Sequence, residues 1–129
     1  MFTYTASLRG ARFRGGNAVN IIRLLEPGDR IAIVPEFENP YDPNALKCIV
    51  NDEHVGYVAK EVAADIGPQM QENDNLAAVA FLLKHEADAK GNPNPLIYVC
   101  VMDTDEGEDE DMAREYYDDE AELYAPSED

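Results

Sequence analysis

The chain has 129 residues, room for one modest domain, and a net charge of −17. No apolar run approaches the ~20 residues needed to cross a membrane, and the N-terminus lacks the basic-then-apolar block of a signal peptide, so a cytoplasmic protein is expected. The charge is uneven: residues 1–102 hold nine Lys and Arg against thirteen Asp and Glu, and residues 103–129 hold one Arg against fourteen acids, so the total does not exclude nucleic acid as a ligand of the body.

Phe2 to Leu8 alternates apolar and hydroxyl residues with period two, a half-buried strand. Arg9-Gly10-Ala11-Arg12-Phe13-Arg14-Gly15-Gly16 reads as a cationic, glycine-rich loop carrying one ring, suited to a phosphate and a base. The plainer reading is a flexible loop whose arginines solvate it. Ala18 to Leu25 is apolar and β-rich and reads as a second strand, closed by the turn signal Glu26-Pro27-Gly28-Asp29. Arg30 to Pro35, Ala45 to Val50 and His54 to Val58 read as three further strands, the last two forming a hairpin across Asn51-Asp52-Glu53.

Between two of these strands lies Asn39-Pro40-Tyr41-Asp42-Pro43-Asn44-Ala45. Its prolines fix φ and push Asn39 and Asp42 towards extended conformations, while Asn39, Asp42 and Asn44 can each bond back to nearby backbone. A loop so constrained presents side chains in fixed positions; the alternative is a wide turn with Tyr41 folded onto the core.

From Lys60 the period changes. Val62, Ile66 and Met70 recur every four residues, a helix face, and Gly67-Pro68 predicts a break into one short helix and a second helical turn. Leu76 to Lys84 and Leu96 to Met102 read as strands around a loop rich in Gly, Asn and Pro. The fold class expected is α+β, mostly β: a small OB-like or SH3-like β-barrel of about six to seven strands with one or two short helices inserted. Cys48 and Cys100 fall inside apolar runs and read as two buried free thiols of a reducing compartment, with a cross-strand disulfide as the alternative.

Residues 103–129 are a different polymer. Dense carboxylates and few aliphatics predict a disordered acidic tail beyond a 1–102 barrel domain, with at most a transient helix over Met112 to Tyr124. Asp103-Thr104-Asp105-Glu106-Gly107 hints at a calcium loop but puts glycine at position five rather than six. No metal site or cofactor is expected. His54 and His85 lack metal-ligand spacing, Ser7 and Ser127 lie in a strand and in the tail rather than a nucleophile turn, and no Gly-Lys-Ser/Thr phosphate loop appears. A non-enzyme is expected.

Ile33 to Lys47, centred on Asn-Pro-Tyr-Asp-x-Asn-Ala-Leu, together with Val55-Gly56-Tyr57-Val58-Ala59-Lys60 and the earlier Gly10, Arg12 and Phe13, resembles a HIRAN domain over residues 2–102. Cys48 departs from the pattern, where an aliphatic is usual. The resemblance suggests a stand-alone form of bacterial or phage type. It implies a modified OB-like barrel with two short helices, and a non-catalytic module acting in DNA repair or replication. HIRAN domains sit in fork-remodelling SWI/SNF-type ATPases, where one characterised member captures the 3′-hydroxyl end of single-stranded DNA. By motif position the resemblance puts Arg12 and Lys60 on phosphates, Phe13 and Tyr41 around the terminal base, and Asp42 on the 3′-hydroxyl. Asn39 would hold the loop or the nucleotide. Tyr57 stands where the end-binding form has a histidine and Phe13 where it has a tyrosine; both keep the ring, and Phe13 lacks a hydroxyl.

The competing expectation is an acidic interaction or DNA-mimic factor, with residues 103–129 in the basic groove of a helicase, nuclease or other DNA-processing partner. The tail could also fold back over Arg12 and Lys60 and compete with DNA. Its plainest reading is a solubilising segment.

Overall fold

The computed structural model describes residues 1–124. Six strands, β1 (Phe2–Arg9), β2 (Arg30–Pro35), β3 (Leu46–Val50), β4 (Glu53–Val58), β5 (Leu76–Lys84) and β6 (Leu96–Asp103), close into an antiparallel barrel in the order β1-β4-β3-β2-β5-β6. Closure removes the open sheet edges that would otherwise template pairing with another chain. Alternate residues of the strands, save at a bulge in β4, fill the interior, including Leu8, Ile31, Leu46, Val55, Leu82 and Val99. The strands expected around these positions all form, and the mostly β, α+β barrel with short helices is the observed architecture.

Two elements within residues 1–102 differ from their sequence reading. Ala18 to Leu25 is not a strand: Gly16–Leu24 is a helix, α1, entered from a 3-10 turn over Ala11–Arg14. Its buried residues, Ala18 and Ile22, are four apart, and Asn17, Asn20 and Arg23 face water. Helical period therefore outweighs the β-branched composition. The second helix, α2 (Lys60–Glu72), runs unbroken through Gly67-Pro68. Gly67 is buried because the helix presses on the proline loop there: a Cβ at Gly67 would lie 2.8 Å from Asn44 Cβ and 2.9 Å from Asn44 Cα.

The acidic segment is ordered through residue 124. After β6 a 3-10 turn leads into α3 (Glu110–Ala121), whose N-cap Asp109 accepts the Met112 amide at 2.9 Å. Ala113 and Tyr117 are buried against Val79, Phe81, Leu83, Tyr98, Cys100 and Met102, the outward residues of β5 and β6. The disorder expected from residue 103 therefore does not hold over 103–124, because the β5–β6 pair is apolar on both faces and needs a cover. Residues 125–129, including Ser127, lie outside the described residues. Arg30 makes a two-pronged ion pair with Glu110, and Arg114 stacks 4.2 Å from the Phe81 ring centre and donates to the Gly28 carbonyl. The Met1 ammonium donates to Glu108 at 2.6 Å. These polar contacts border an α3 whose apolar side lies on β5 and β6, not over Arg12 and Lys60.

Both cysteines are free and buried, Cys48 inside the barrel and Cys100 beneath α3. Burial pushes the Cys100 thiol up to about 12 and raises Cys48 further, so neither is a reactive thiolate. No helix among the described residues is long and apolar enough to cross a membrane.

Candidate nucleic-acid interface

The proline loop is built from its own side chains. Glu36 N–H donates to the Ala45 carbonyl at 2.9 Å and Ala45 N–H to the Asp42 carbonyl at 3.0 Å, tying the loop at its base. Asn39 Oδ1 accepts the amides of Tyr41 (2.9 Å) and Asp42 (3.1 Å), and Asp42 Oδ1 accepts the Asn44 amide at 3.0 Å. Asn39 thus holds the loop. These bonds, the two prolines and α2 behind Asn44 leave Tyr41 on an inflexible tip, 96% exposed. The alternative of Tyr41 folded onto the core does not occur.

A groove of about 450 Å³ lies between this loop, the end of β1, the 3-10 turn and the β4–α2 junction. Six of the seven sequence-derived candidates line it: Phe13, Asn39, Tyr41, Asp42, Tyr57 and Lys60. Phe13 is 70% exposed, so the groove has two bare rings on opposite elements. Exposed large rings are costly to leave in water and usually mark a contact. Lys60 makes no ion pair among the described residues. Arg12 is the exception. It lines a neighbouring groove of about 240 Å³ with Asp88 and Asn94, and its guanidinium lies 4.5 Å from the centre of the Phe13 ring. It covers one face of Phe13 and leaves the other for a ligand.

Arg9 was not among the candidates, yet it lines the groove, sits opposite Tyr57 in the β1–β4 register and pairs with Glu61 at 3.1 Å. The alternation of β1 is the signal that places it outside, in line with Thr3, Thr5 and Ser7. Glu36 was also missed. The Tyr57 hydroxyl donates to Glu36 Oε1 at 2.7 Å, and Asn39 Nδ2 approaches the same oxygen at 3.4 Å. The Tyr57 bond, set against partial burial, holds the Glu36 carboxyl below its ordinary range. Burial first, and then the carboxylate, raises the Tyr57 hydroxyl.

His54 backs Tyr57 edge-on, with ring centres 4.7 Å apart. Its Nε2 is 3.0 Å from the Gly56 carbonyl and its Nδ1 is 3.3 Å from an Arg14 nitrogen. Gly56 itself is required by close approach: a Cβ there would meet Leu8 Cδ2 at 2.6 Å and the Arg9 carbonyl at 2.7 Å. Among the described residues no cluster of His, Cys, Asp and Glu could hold a metal ion.

Fold and groove together define a small closed-barrel binding module with exposed rings, a carboxylate and cations at one mouth. The chain belongs to the HIRAN domain family, whose model matches residues 1–93, a family of DNA-binding modules. Two crystal structures share the fold. A protein from Lactobacillus plantarum is 18% identical, with a TM-score of 0.59, over 75% of this chain and 90% of that one. The HIRAN domain of human HLTF is 20% identical, with a TM-score of 0.55, over 97% of this chain and 90% of that one. No curated protein matches the chain.

Proposed function

We propose that this protein is a non-catalytic module that captures the 3′-hydroxyl end of single-stranded DNA. The observation that carries the proposal is the pair of bare rings, Phe13 and Tyr41, lining one groove with Asp42 and Lys60. The terminal base stacks between the rings, a contact worth about 1–3 kcal/mol per base and tolerant of sequence. Asp42 uses Oδ1 on the Asn44 amide, and its second oxygen accepts the hydrogen bond of the terminal hydroxyl. A 3′-phosphate would meet that carboxylate as a like charge, so the end is selected by repulsion as well as attraction. Lys60 and Arg9 neutralise the flanking phosphates, with Arg12 beside Phe13 as a further cation. Asn39 and Glu36 act through the loop and the Tyr57 ring rather than on the nucleotide.

The test is a titration of the full chain with short oligonucleotides identical except for a 3′-hydroxyl or a 3′-phosphate. The hydroxyl form is expected to bind about tenfold tighter or more, the effect of a like-charge contact of one to two kcal/mol, and Asp42→Ala is expected to abolish the difference. Equal affinity of the wild-type chain for the two ends overturns the proposal.

A further inference from the structure

We infer that the strand, beyond its captured end, continues across the outer face of β4 and β3, where Arg14 and Lys47 form a second phosphate-binding patch. This inference rests on the end-binding reading above.

The patch follows from strand register. Arg9 pairs with Tyr57, Tyr57 with Lys47, and Lys47 with Val34, a row running from β1 across β4 and β3 to β2. Neighbouring strands lie about 4.8 Å apart, so Arg9 and Lys47 are roughly 10 Å from each other with the Tyr57 ring between them. Tyr57 belongs both to this row and to the groove. A strand leaving the groove past Tyr57 therefore meets Lys47 next.

A bulge between Cys48 and Ile49 adds the second half of the patch. It turns His54 outward beside Tyr57 although the two are three residues apart, while Val55 and Val58 point into the barrel. Arg14 reaches this place from the turn before α1 and lies against His54. Two cations from distant parts of the chain thus flank an aromatic and imidazole floor, and neither makes an ion pair among the described residues. Cations beside half-exposed ring surface suit an unpaired strand crossing a sheet face.

The counter-charge on this face is Glu36. One of its oxygens is occupied by the Tyr57 hydroxyl, and Lys47 stands close enough to act on its ionisation. The other exit, through the smaller groove, is less favourable to a phosphate. It runs past Asp88, a carboxylate fixed by the amides of Lys90 and Asn92.

The test is fluorescence anisotropy of 3′-hydroxyl oligodeoxynucleotides of two and eight nucleotides on the full chain. The octamer is expected to bind about tenfold tighter or more than the dinucleotide. The double variant Arg14→Gln, Lys47→Gln is expected to remove that gain while leaving the dinucleotide unchanged. It should also flatten the octamer salt dependence by about 1.4 log units per log unit of salt, roughly 0.7 for each phosphate no longer neutralised. Circular dichroism of the variant confirms that it is folded. An octamer that binds no tighter than the dinucleotide, or an unaltered salt slope in the variant, overturns the path while leaving end capture standing. Failure of both oligonucleotides to bind overturns end capture and the path together.

Discussion

At the scale of single residues the site is a contrast between rings held bare and groups held still. Tyr41 contributes almost nothing to the core at 96% exposure, yet its amide is held by Asn39 between two prolines. His54 is the opposite case: half-buried, and packed between Tyr57, Arg14 and Gly56. Burial first, and then the positive charges of Arg14 and Lys47, lower its pKa below the ordinary 6.5; the Gly56 carbonyl and Glu36 oppose them. As pH falls below 6.5 the unfolded chain takes up a proton that the folded chain still refuses, so stability falls with pH in that window and is fully present above it. Urea unfolding at about pH 8 and about pH 5.5 should therefore show a larger loss for wild type than for His54→Gln. An identical loss in both would mean that His54 is freely solvated in the fold.

At the scale of elements, the proline loop owes its position to α2. The contact is close, since Gly67 lets the helix backbone touch Asn44 at its Cα and Cβ. Gly67→Ala sets two magnitudes against each other. Alanine favours a helix over glycine by about 1 kcal/mol, whereas forcing a methyl group into a closed contact costs about 1–3 kcal/mol. With the nearest atoms at 2.8 and 2.9 Å and belonging to Asn44 itself, the clash should win. The variant is expected to lose about 1 kcal/mol in urea unfolding and to bind DNA more weakly as the loop shifts; a gain in stability would show the loop free of the helix. The same glycine shows where sequence reading stops. Gly67-Pro68 looks like a break when only the chain is seen, because the reason for the glycine is a residue twenty-three positions earlier. α1 escapes a reading by composition because Ala18 to Leu25 carries both β-rich residues and a helical spacing, and the barrel end decides between them. The strands are legible from period two in β1 and from short apolar runs bounded by turn signals in the others. Six groove-lining residues are legible because they lie in short linear motifs. Glu36 and the Arg14–His54 contact are not, because they depend on register and on a bulge; for Arg9 period two shows the outward face but not its place opposite Tyr57.

At the scale of the molecule, charge and cover are one problem. Residues 103–124 carry twelve acidic groups and one arginine, a composition that reads as solvated tail, yet α3 is the second layer of the fold. The clue lies in the body: Val79 to Leu83 and Ile97 to Met102 are uninterrupted apolar runs, and a barrel wall exposed on one side would alternate. The ion pair of Arg30 with Glu110 is about half exposed on both sides, so it is worth less than about 1 kcal/mol and cannot be what keeps α3 in place. The buried apolar contact of Tyr117 and Ala113 with Phe81 must dominate. Tyr117→Ala is therefore expected to cost about 3 kcal/mol, as large aromatic truncations in a core do, and Glu110→Gln less than about 1 kcal/mol. Cutting the chain at residue 102 should uncover Phe81, Tyr98, Cys100 and Met102 together. The product should bind a hydrophobic dye and aggregate, and size-exclusion chromatography with dye fluorescence checks this directly. A well-behaved monomer with unchanged urea midpoint would mean that α3 is a passenger. The outcome also fixes how DNA experiments must be run, because a shortened chain that binds DNA differently would report a damaged barrel and not the release of an acidic competitor.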